Sequence, residues 1–272
     1  METPAGTSVS EEPGPPPGEP ARAPEPPPEI TVVLPAHNEV MLIGSTVTNL
    51  VSGFARRGRA FEILVVENGS TDGTLRLARL LSAQLPHVRV LSLASGDYGA
   101  ALAAGFRDAL GALIVSFDVD YYDLPFFDAA LGLVDSGEAD LVLASKRAAG
   151  ARDRRPLLRR VLTAGFTAAL HRVVGLEVSD AHGMKVMSAS AVVPLIEQTV
   201  LRGSLFDVEL VLRASRAGLA VRELPAVVRE LRPPRTSVLR RIVESAIGLV
   251  RLRLLVGAGE SPETRRSDDL AS

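Results

Sequence analysis

The chain has 272 residues, 46% of them hydrophobic, and a formal net charge of −2. That length is enough for one sizeable hydrophobic core, or for one core with an appendage. There is no cysteine, which excludes disulfide frameworks and thiolate metal sites and fits a reducing compartment. No stretch approaches the roughly 20 uninterrupted apolar residues of a membrane-spanning helix, and the amino terminus does not have the pattern of a signal peptide. We therefore expect a cytoplasmic protein, soluble or attached peripherally to the inner face of the cell membrane.

The net charge conceals a difference between the two halves of the chain. Residues 1–145 carry a formal charge of about −11, and residues 146–256 carry about +11. The positive charge is almost entirely arginine, because Lys146 and Lys185 are the only lysines. An arginine-rich carboxyl half indicates an anionic partner, such as phosphate, nucleic acid or a membrane surface, although ordinary solvated helix faces account for many of these arginines.

In the first half, short apolar strands alternate with segments of helical length. Proline, glycine and glutamate dominate residues 1–29, which predicts a disordered tail. Strands are predicted at 30–34, 61–66, 88–93, 112–117 and 139–144, and helices at 40–56, from about 72, at 98–110 and at 124–136. Regular alternation of strand and helix predicts a parallel, doubly wound α/β sheet.

The second half is predicted to be mainly helical. A long amphipathic helix is predicted at 156–174, beginning with Pro156 in its first turn. Further predicted elements are helices at 188–198 and 206–217, two short strands around 220–228, and a last helix at 237–256. The helices at 156–174 and 237–256 combine arginines with an apolar stripe, which by default packs in a core but is compatible with an anionic membrane surface. Residues 257–272 are predicted to be a flexible tail, so one folded domain spans 30–256, divided at residue 145.

A cluster of carboxylates follows the fourth predicted strand. In the stretch from Leu113 to Asp123, a buried apolar run ends in Asp118 and Asp120, with Asp123 three residues further on. The carboxyl ends of parallel strands form the ligand-binding edge of open α/β sheets. Two carboxylates one residue apart suit a hard divalent cation that bridges to phosphate oxygens, whereas an isolated pattern of this kind is more often a polar loop.

Three other strands are also followed by polar, turn-rich sequence. The first leads into Pro35-Ala36-His37-Asn38-Glu39, the second into Glu67-Asn68-Gly69-Ser70, and the third into Gly96-Asp97-Tyr98-Gly99. Taken singly, each reads as a turn with a helix cap, such as Asn38 or Asp72. Because four consecutive strand ends meet at one edge of the sheet, together they predict a site for a nucleotide and its phosphates.

These motifs resemble a known enzyme family. LPAHNE, VVENGSTDGT, DYGAAL and FDVD occur in the order and spacing of inverting family 2 glycosyltransferases. Ser145-Lys146-Arg147, VSDAHGMK at 178–185 and FDVE at 206–209 resemble the polyprenyl-phosphate sugar transferases, of which the dolichol-phosphate mannose synthases and glucosyltransferases are the most similar type. The resemblance covers 30–256 and implies the GT-A fold, a doubly wound, mostly parallel sheet with a helical carboxyl-terminal addition.

The resemblance also implies the site and its chemistry. It implies transfer of a hexose from a donor of the GDP-mannose or UDP-glucose type to a polyprenyl phosphate, with no nucleic acid involved and with room for a separate membrane partner protein. Mg²⁺ or Mn²⁺ is expected on Asp118 and Asp120, with Asp120 favoured as the direct ligand. The catalytic residues are expected to be Asp120, Arg147 and Arg159, the two arginines binding the lipid phosphate. The donor is expected to be lined by Pro35, Ala36, Asn38, Glu39, Glu67, Asn68, Gly69, Gly99, Asp118, Val119, Lys185 and Arg235.

Two departures from the family pattern leave alternatives open. Glu67-Asn68 replaces the usual pair of aspartates, and Asp97-Tyr98 replaces the usual basic residue of the third turn. One alternative is a transferase of the same fold with a soluble small-molecule or glycan acceptor, whose hydroxyl would need a general base from among Asp180, Asp207 and Glu209. The other is a catalytically weak module that binds a sugar nucleotide.

Overall fold

The computed structural model describes residues 27–145, 148, 152–153, 165, 168–169, 171–172, 175–176, 178–203, 205–228 and 248. Nine strands are assigned in these residues: β1 Ile30–Ala36, β2 Phe61–Asn68, β3 Val88–Leu93, β4 Leu113–Ser116, β5 Leu141–Ser145, β6 Arg152–Asp153, β7 Lys185–Ser188, β8 Val221–Pro225 and β9 Val227–Val228. The helices assigned in the described residues are α1 Ile43–Ala55, α2 Thr74–Gln84, α3 Tyr98–Asp108, α4 Leu124–Asp135, α5 Ala189–Ile196 and α6 Leu205–Arg216.

Seven of the strands form one mostly parallel sheet, as predicted. Its order is β3-β2-β1-β4-β7-β5-β8, and all neighbouring pairs are parallel except those of β7, which runs antiparallel between β4 and β5. Strands β6 and β9 pair separately in a second, two-stranded sheet. The predicted mostly parallel, doubly wound architecture is confirmed.

Helices cover both faces of the large sheet. On one face, α1, α2 and α4 contribute Phe54, Leu81 and Phe127 to a core that includes Val32 of β1. On the other face, α3, α5 and α6 pack against Val33 and its neighbours. Because successive strand residues point to opposite faces and both faces are covered, the central strands are apolar throughout.

Strand β7 was missed by the sequence analysis. Its four residues, KVMS, are short and begin with a lysine, so no local pattern distinguishes them from a loop. The strand exists because Val186 pairs with Val115 of β4 on one side and with Val142 of β5 on the other. The predicted helices at 156–174 and 237–256 and the two tails lie largely or wholly outside the described residues.

The order of the strands creates a crevice at the centre of the sheet. From β1, the chain continues to β2 and β3 on one side, whereas β4 lies on the other side of β1. The segments that follow β1 and β4 therefore diverge, which is the arrangement that opens a ligand site beyond the carboxyl ends of the strands. None of the helices in the described part of the chain has the length and hydropathy needed to span a membrane.

Candidate functional site

The acidic segment after β4 is held by main-chain hydrogen bonds. Asp118 and Tyr121 exchange two of them, of 3.0 and 3.1 Å. The carbonyl oxygen of Val119 accepts a hydrogen bond of 2.7 Å from the hydroxyl of Thr46 on α1, while the Val119 side chain is buried. Asp123 caps α4 by accepting a 3.1 Å hydrogen bond from the N–H of Phe126. These contacts fix the tight turn that carries Asp118 and Asp120.

The two predicted metal ligands differ in environment. Asp118 is partly buried and Asp120 is exposed. The pKa of Asp118 is raised to about 6, mainly by burial. The hydrogen bond from Tyr98 and the charge of Lys185 lower this pKa, whereas the charges of Asp120 and Asp207 raise it. A carboxylate whose charge is disfavoured in this way gains when a cation binds beside it.

A buried ion pair lies next to this carboxylate. The ammonium group of Lys185, at the start of β7, lies 2.9 Å from Oδ1 of Asp207 in the first turn of α6. The ammonium also donates a 2.8 Å hydrogen bond to the carbonyl oxygen of Gly183. Both charged side chains are almost entirely removed from solvent, so Lys185 meets its anionic partner inside the protein. Its predicted contact with the donor remains a prediction.

The turn after β1 is tied to the turn after β2. Asn38 has a positive φ of 55°, and its side-chain oxygen accepts a 2.8 Å hydrogen bond from the N–H of Thr71. The N–H of Glu39 donates to the hydroxyl of Thr74 at 2.8 Å. Helix α1 begins only at Ile43, so the capping role that the sequence allowed for Asn38 is wrong. Asn38 links two loops instead.

The end of β2 is built from buried polar groups. One oxygen of Glu67 accepts a hydrogen bond from the N–H of Ser70, and the other accepts one of 3.1 Å from the hydroxyl of Ser92. The carbonyl oxygen of Asn68 lies 2.8 Å from Nδ1 of His37. Gly69 has a φ of 69° and approaches Gly96 so closely that a side chain would meet its backbone. Pro35, Ala36, Glu67 and Asn68 are buried at this edge, and their predicted contact with the donor remains a prediction.

The third turn is packed against the segment that precedes α6. Asp97 caps α3, and its Oδ1 accepts hydrogen bonds from the N–H groups of Ala100 at 2.8 Å and Gly203 at 3.0 Å. A Cβ atom at Gly99 would lie 2.6 Å from the carbonyl oxygen of Gly203 and 2.7 Å from Cβ of Phe206. The absence of a side chain at Gly99 is therefore explained by this close packing, and its predicted contact with the donor remains a prediction.

Tyr98 contacts the acidic turn, although in the sequence it stands out only as a departure from the family pattern. Its hydroxyl donates a 3.0 Å hydrogen bond to Oδ1 of Asp118. Burial raises the pKa of Tyr98 well above its usual range, and the nearby charges of Asp118, Asp207 and Asp120 raise it further. The sequence feature that could have indicated Tyr98 is its position as the first residue of α3, a helix that begins at the same edge of the sheet.

Of the three candidate general bases, Glu209 is fully engaged elsewhere. One of its oxygens accepts from the N–H groups of Val200 at 3.0 Å and Leu201 at 2.7 Å, and the other pairs with Arg213 at 2.6 Å. Glu209 thus organises the segment before α6, and its candidacy as a base is wrong. Asp207 is paired with Lys185.

Asp180 lies in a loop that is held from β8. Its N–H and that of Ser179 donate to the carboxylate of Glu223, at 3.1 and 3.0 Å to Oε1. The hydroxyl of Ser179 lies 2.6 Å from that of Ser145, the last residue of β5. Arg147 and Arg159, predicted to bind the lipid phosphate, and Arg235, predicted to line the donor, lie outside the described residues.

The carboxylate oxygens at this edge of the sheet fit a divalent cation that is only partly coordinated by the protein. Oxygen ligands and an excess of negative charge, from Asp118, Asp120 and Asp207 against Lys185, are what Mg²⁺ and Mn²⁺ favour. No group of three histidine or carboxylate side chains with metal-site geometry occurs within the part of the chain that the structure covers. A cation here would thus need further oxygen ligands from water or from a bound diphosphate.

A mostly parallel sheet with paired aspartates at the carboxyl edge of its central strand is the arrangement of the GT-A glycosyltransferases. Comparison with known proteins agrees: the model of glycosyl transferase family 2 matches residues 31–192. The chain belongs to this family.

Individual relatives extend the comparison beyond the family model. Glycosyltransferase AglD of Haloferax volcanii is 31% identical over 204 residues, which are 72% of this chain and 32% of that protein. A dolichol-phosphate mannosyltransferase of Mycosarcoma maydis is 28% identical over 145 residues, 51% of this chain and 49% of the relative. The chain therefore spans about a third of the length of the first relative and about half of the second.

A solved structure shares the fold. Glucosyl-3-phosphoglycerate synthase from Mycobacterium tuberculosis, in complex with Mn²⁺, UDP and glucosyl-3-phosphoglycerate, superposes with a TM-score of 0.62. It is 20% identical in sequence, and the match covers 84% of this chain and 80% of that one. This likeness confirms the predicted GT-A architecture.

Proposed function

We propose that this glycosyltransferase moves a hexose, mannose or glucose, from a nucleotide diphosphate donor to a polyprenyl phosphate, with the help of Mg²⁺ or Mn²⁺. The observation that carries the proposal is Asp118, a carboxylate at the central strand end whose pKa is raised to about 6 by burial and by neighbouring carboxylates. Such a group is unfavourable in the empty site and favourable beside a cation.

The donor is proposed to lie across the loops that follow β1 and β2. Asn38, Ser70 and Thr71 connect these loops by hydrogen bonds of 3.0 and 2.8 Å, so a nucleoside placed there meets a fixed polar surface. Pro35, Ala36, Glu39, Glu67, Asn68, Gly69, Gly99, Val119 and Lys185 are proposed to shape this donor half, residues 30–145 together with β7. A solved structure of the same fold contains UDP with Mn²⁺, which supports a donor of this class.

The metal is proposed to be held by Asp118 and Asp120. Bound there, it would supply the positive charge that stabilises a departing nucleoside diphosphate. The protein's own contribution is to hold the two carboxylates on a turn fixed by Thr46 and Tyr121. The charge of Lys185 is balanced by Asp207, so it competes only weakly with the cation.

The acceptor is proposed to be a phosphate monoester on a polyprenyl chain, bound by the half that includes residues 146–256. Such a phosphate is already largely anionic at neutral pH, so the reaction needs no strong general base, in accord with the engagement of Glu209 and Asp207 in the protein. Arg147 and Arg159 are the proposed ligands of this phosphate, because a guanidinium can bind phosphate with two hydrogen bonds. Arg235 is proposed on the donor side. The relative from Mycosarcoma maydis, a dolichol-phosphate mannosyltransferase, supports this acceptor class. We also propose a peripheral position on the inner face of the cell membrane, alone or through a membrane partner protein.

The test is a transfer assay with the full chain. Labelled UDP-glucose and GDP-mannose are each incubated with Mn²⁺ and a polyprenyl phosphate in detergent or vesicles, and lipid-linked sugar is measured. We expect transfer from one of the two donors, its loss in EDTA, and a decrease of about 100-fold or more in Asp120→Ala. Asp135→Asn is the matched control, since Asp135 pairs with Arg59 at the end of α4 and is remote from the acidic turn.

Two results would contradict the proposal. Transfer to a water-soluble acceptor without transfer to lipid would show that the acceptor is of another class. Binding of a sugar nucleotide with no turnover on any acceptor would indicate a binding module instead of an active transferase.

A further inference from the structure

The hydroxyl of Tyr98 contacts Asp118, the partly buried carboxylate that follows β4. It donates to Oδ1 of Asp118 over 3.0 Å. A carboxylate at the end of a short side chain can rotate about its last bond, and a single directed donor fixes the plane in which its oxygens lie. The Tyr98 hydroxyl therefore sets which way Asp118 presents its second oxygen.

Tyr98 itself is held rigidly. It is the first residue of α3, and the preceding Asp97 caps that helix while also accepting from Gly203 at 3.0 Å. On the other side, Gly99 is in close contact with Gly203 and Phe206. The ring of Tyr98 packs against the core on the α3 and α6 face of the sheet. The main chain that carries the Tyr98 ring is therefore fixed at the start of α3, and the ring is packed on the core.

The Tyr98 hydroxyl is a suitable hydrogen-bond donor beside a cation site. A lysine or arginine at this turn would also bind Asp118, but its positive charge would repel a divalent ion. A neutral phenol hydroxyl donates a hydrogen bond without adding charge. The site already holds the buried ammonium of Lys185, which is balanced by Asp207 at 2.9 Å, so a further cationic side chain would reduce the net negative charge that attracts a metal.

We infer that Tyr98 is a positioning residue for the metal site. Its hydroxyl orients the carboxylate of Asp118 by a hydrogen bond and does not itself coordinate the metal. The inference rests on the proposed function, because it takes Asp118 as a metal ligand. It gives a role to Tyr98 in the turn after β3, where Asp97 and Tyr98 stand in place of a basic residue.

The test compares Mn²⁺ binding in Tyr98→Phe and wild type, using the full chain with saturating UDP and, in a second series, GDP. Binding is followed by the electron paramagnetic resonance signal of free Mn²⁺. We expect Tyr98→Phe to bind Mn²⁺ about 10- to 100-fold more weakly, the range observed when a group that orients a metal ligand is removed. Affinity for the nucleotide alone, measured in EDTA, should be unchanged.

The matched control is Tyr122→Phe. The hydroxyl of Tyr122 accepts a 3.1 Å hydrogen bond from the side-chain amide of Asn49, so its removal deletes the same atom two residues after Asp120 without touching Asp118. We expect Mn²⁺ affinity within about twofold of wild type, because no group that orients a ligand is lost.

The outcomes separate the inference from the function on which it rests. If wild type binds Mn²⁺ and Tyr98→Phe binds it equally well, the positioning role is refuted and the metal site stands. If Tyr98→Phe loses Mn²⁺ affinity, nucleotide affinity and melting temperature together, Tyr98 is structural only and the inference is refuted. If wild type binds no Mn²⁺ with either nucleotide, the proposed metal site fails, and the inference fails with it.

Discussion

Replacing Lys185 by methionine would leave a carboxylate buried without its positive partner. The Lys185 side chain is 1% exposed and that of Asp207 is 1% exposed, and their charged atoms are 2.9 Å apart. Methionine has a similar length and fills the same space, so the main change is electrostatic. Removing one member of a buried ion pair typically costs about 3–5 kcal/mol, because the remaining charge is left unpaired in a medium of low polarity.

The size of this effect makes it easy to measure. A domain of this size is expected to have a free energy of unfolding of about 5–15 kcal/mol, so Lys185→Met would remove a large fraction of it. At roughly 2–4 °C per kcal/mol, the melting temperature should fall by about 6–20 °C. The assay is urea denaturation followed by circular dichroism, in EDTA, together with thermal unfolding.

Two further variants make the comparison specific. Arg107→Met removes an ion pair with Glu197 that has nearly the same N–O distance, 2.7 Å, but side chains 43% and 62% exposed; we expect a change below about 1 kcal/mol. The double variant Lys185→Met with Asp207→Leu removes both charges and should recover most of the lost stability. A loss below about 1 kcal/mol in Lys185→Met, or no recovery in the double variant, would refute the argument that this pair is held in a low-polarity interior.

Two other predictions concern charge and close packing at the site. The pKa of Asp118 is raised to about 6, so ionisation of this carboxyl group opposes folding above that pH. Without metal, Asp118→Asn should therefore raise the free energy of unfolding by up to about 3 kcal/mol at pH 8. The gain should shrink as the pH falls through 6 and disappear near pH 4. Equal stability at pH 8, measured by denaturation in EDTA, would contradict this. Gly99→Ala should lower stability by about 1–3 kcal/mol, because its Cβ would lie 2.6 Å from the carbonyl oxygen of Gly203. Its control, Gly132→Ala in α4, has no atom within 4 Å and should gain about 0.5–1 kcal/mol; if both variants melt alike, the close contact at Gly99 is not present in solution.

Several of the elements that place the site were predictable from local pattern. The apolar run before Asp118 predicted β4 within one residue of each observed bound, and β3 was predicted at its observed bounds. The strands β1 and β2 continue two residues further than predicted, to Ala36 and Asn68. Their ends carry polar or proline residues that local pattern assigns to a turn, whereas pairing such as Ala36 with Glu67 keeps them extended.

Buried polar partners were not predictable, because each joins residues distant in sequence. Glu209 was considered a candidate base from its place in a motif, yet it binds the N–H groups of Val200 and Leu201 and the guanidinium of Arg213. Nothing in the local sequence shows that the segment before α6 folds back onto its own helix in this way.

The amino-acid sequence by itself determined the class of fold, the order of strands and helices from β1 to β5, and the carboxylates at the end of β4. It did so because strand and helix periods and turn residues are local properties of the chain. Only the tertiary structure decided that β7 runs antiparallel through the centre of the sheet and brings Lys185 to Asp207, and that Tyr98 orients toward Asp118. These contacts depend on burial and on pairing across long sequence separations, where the cost of an unpaired charge selects the partner.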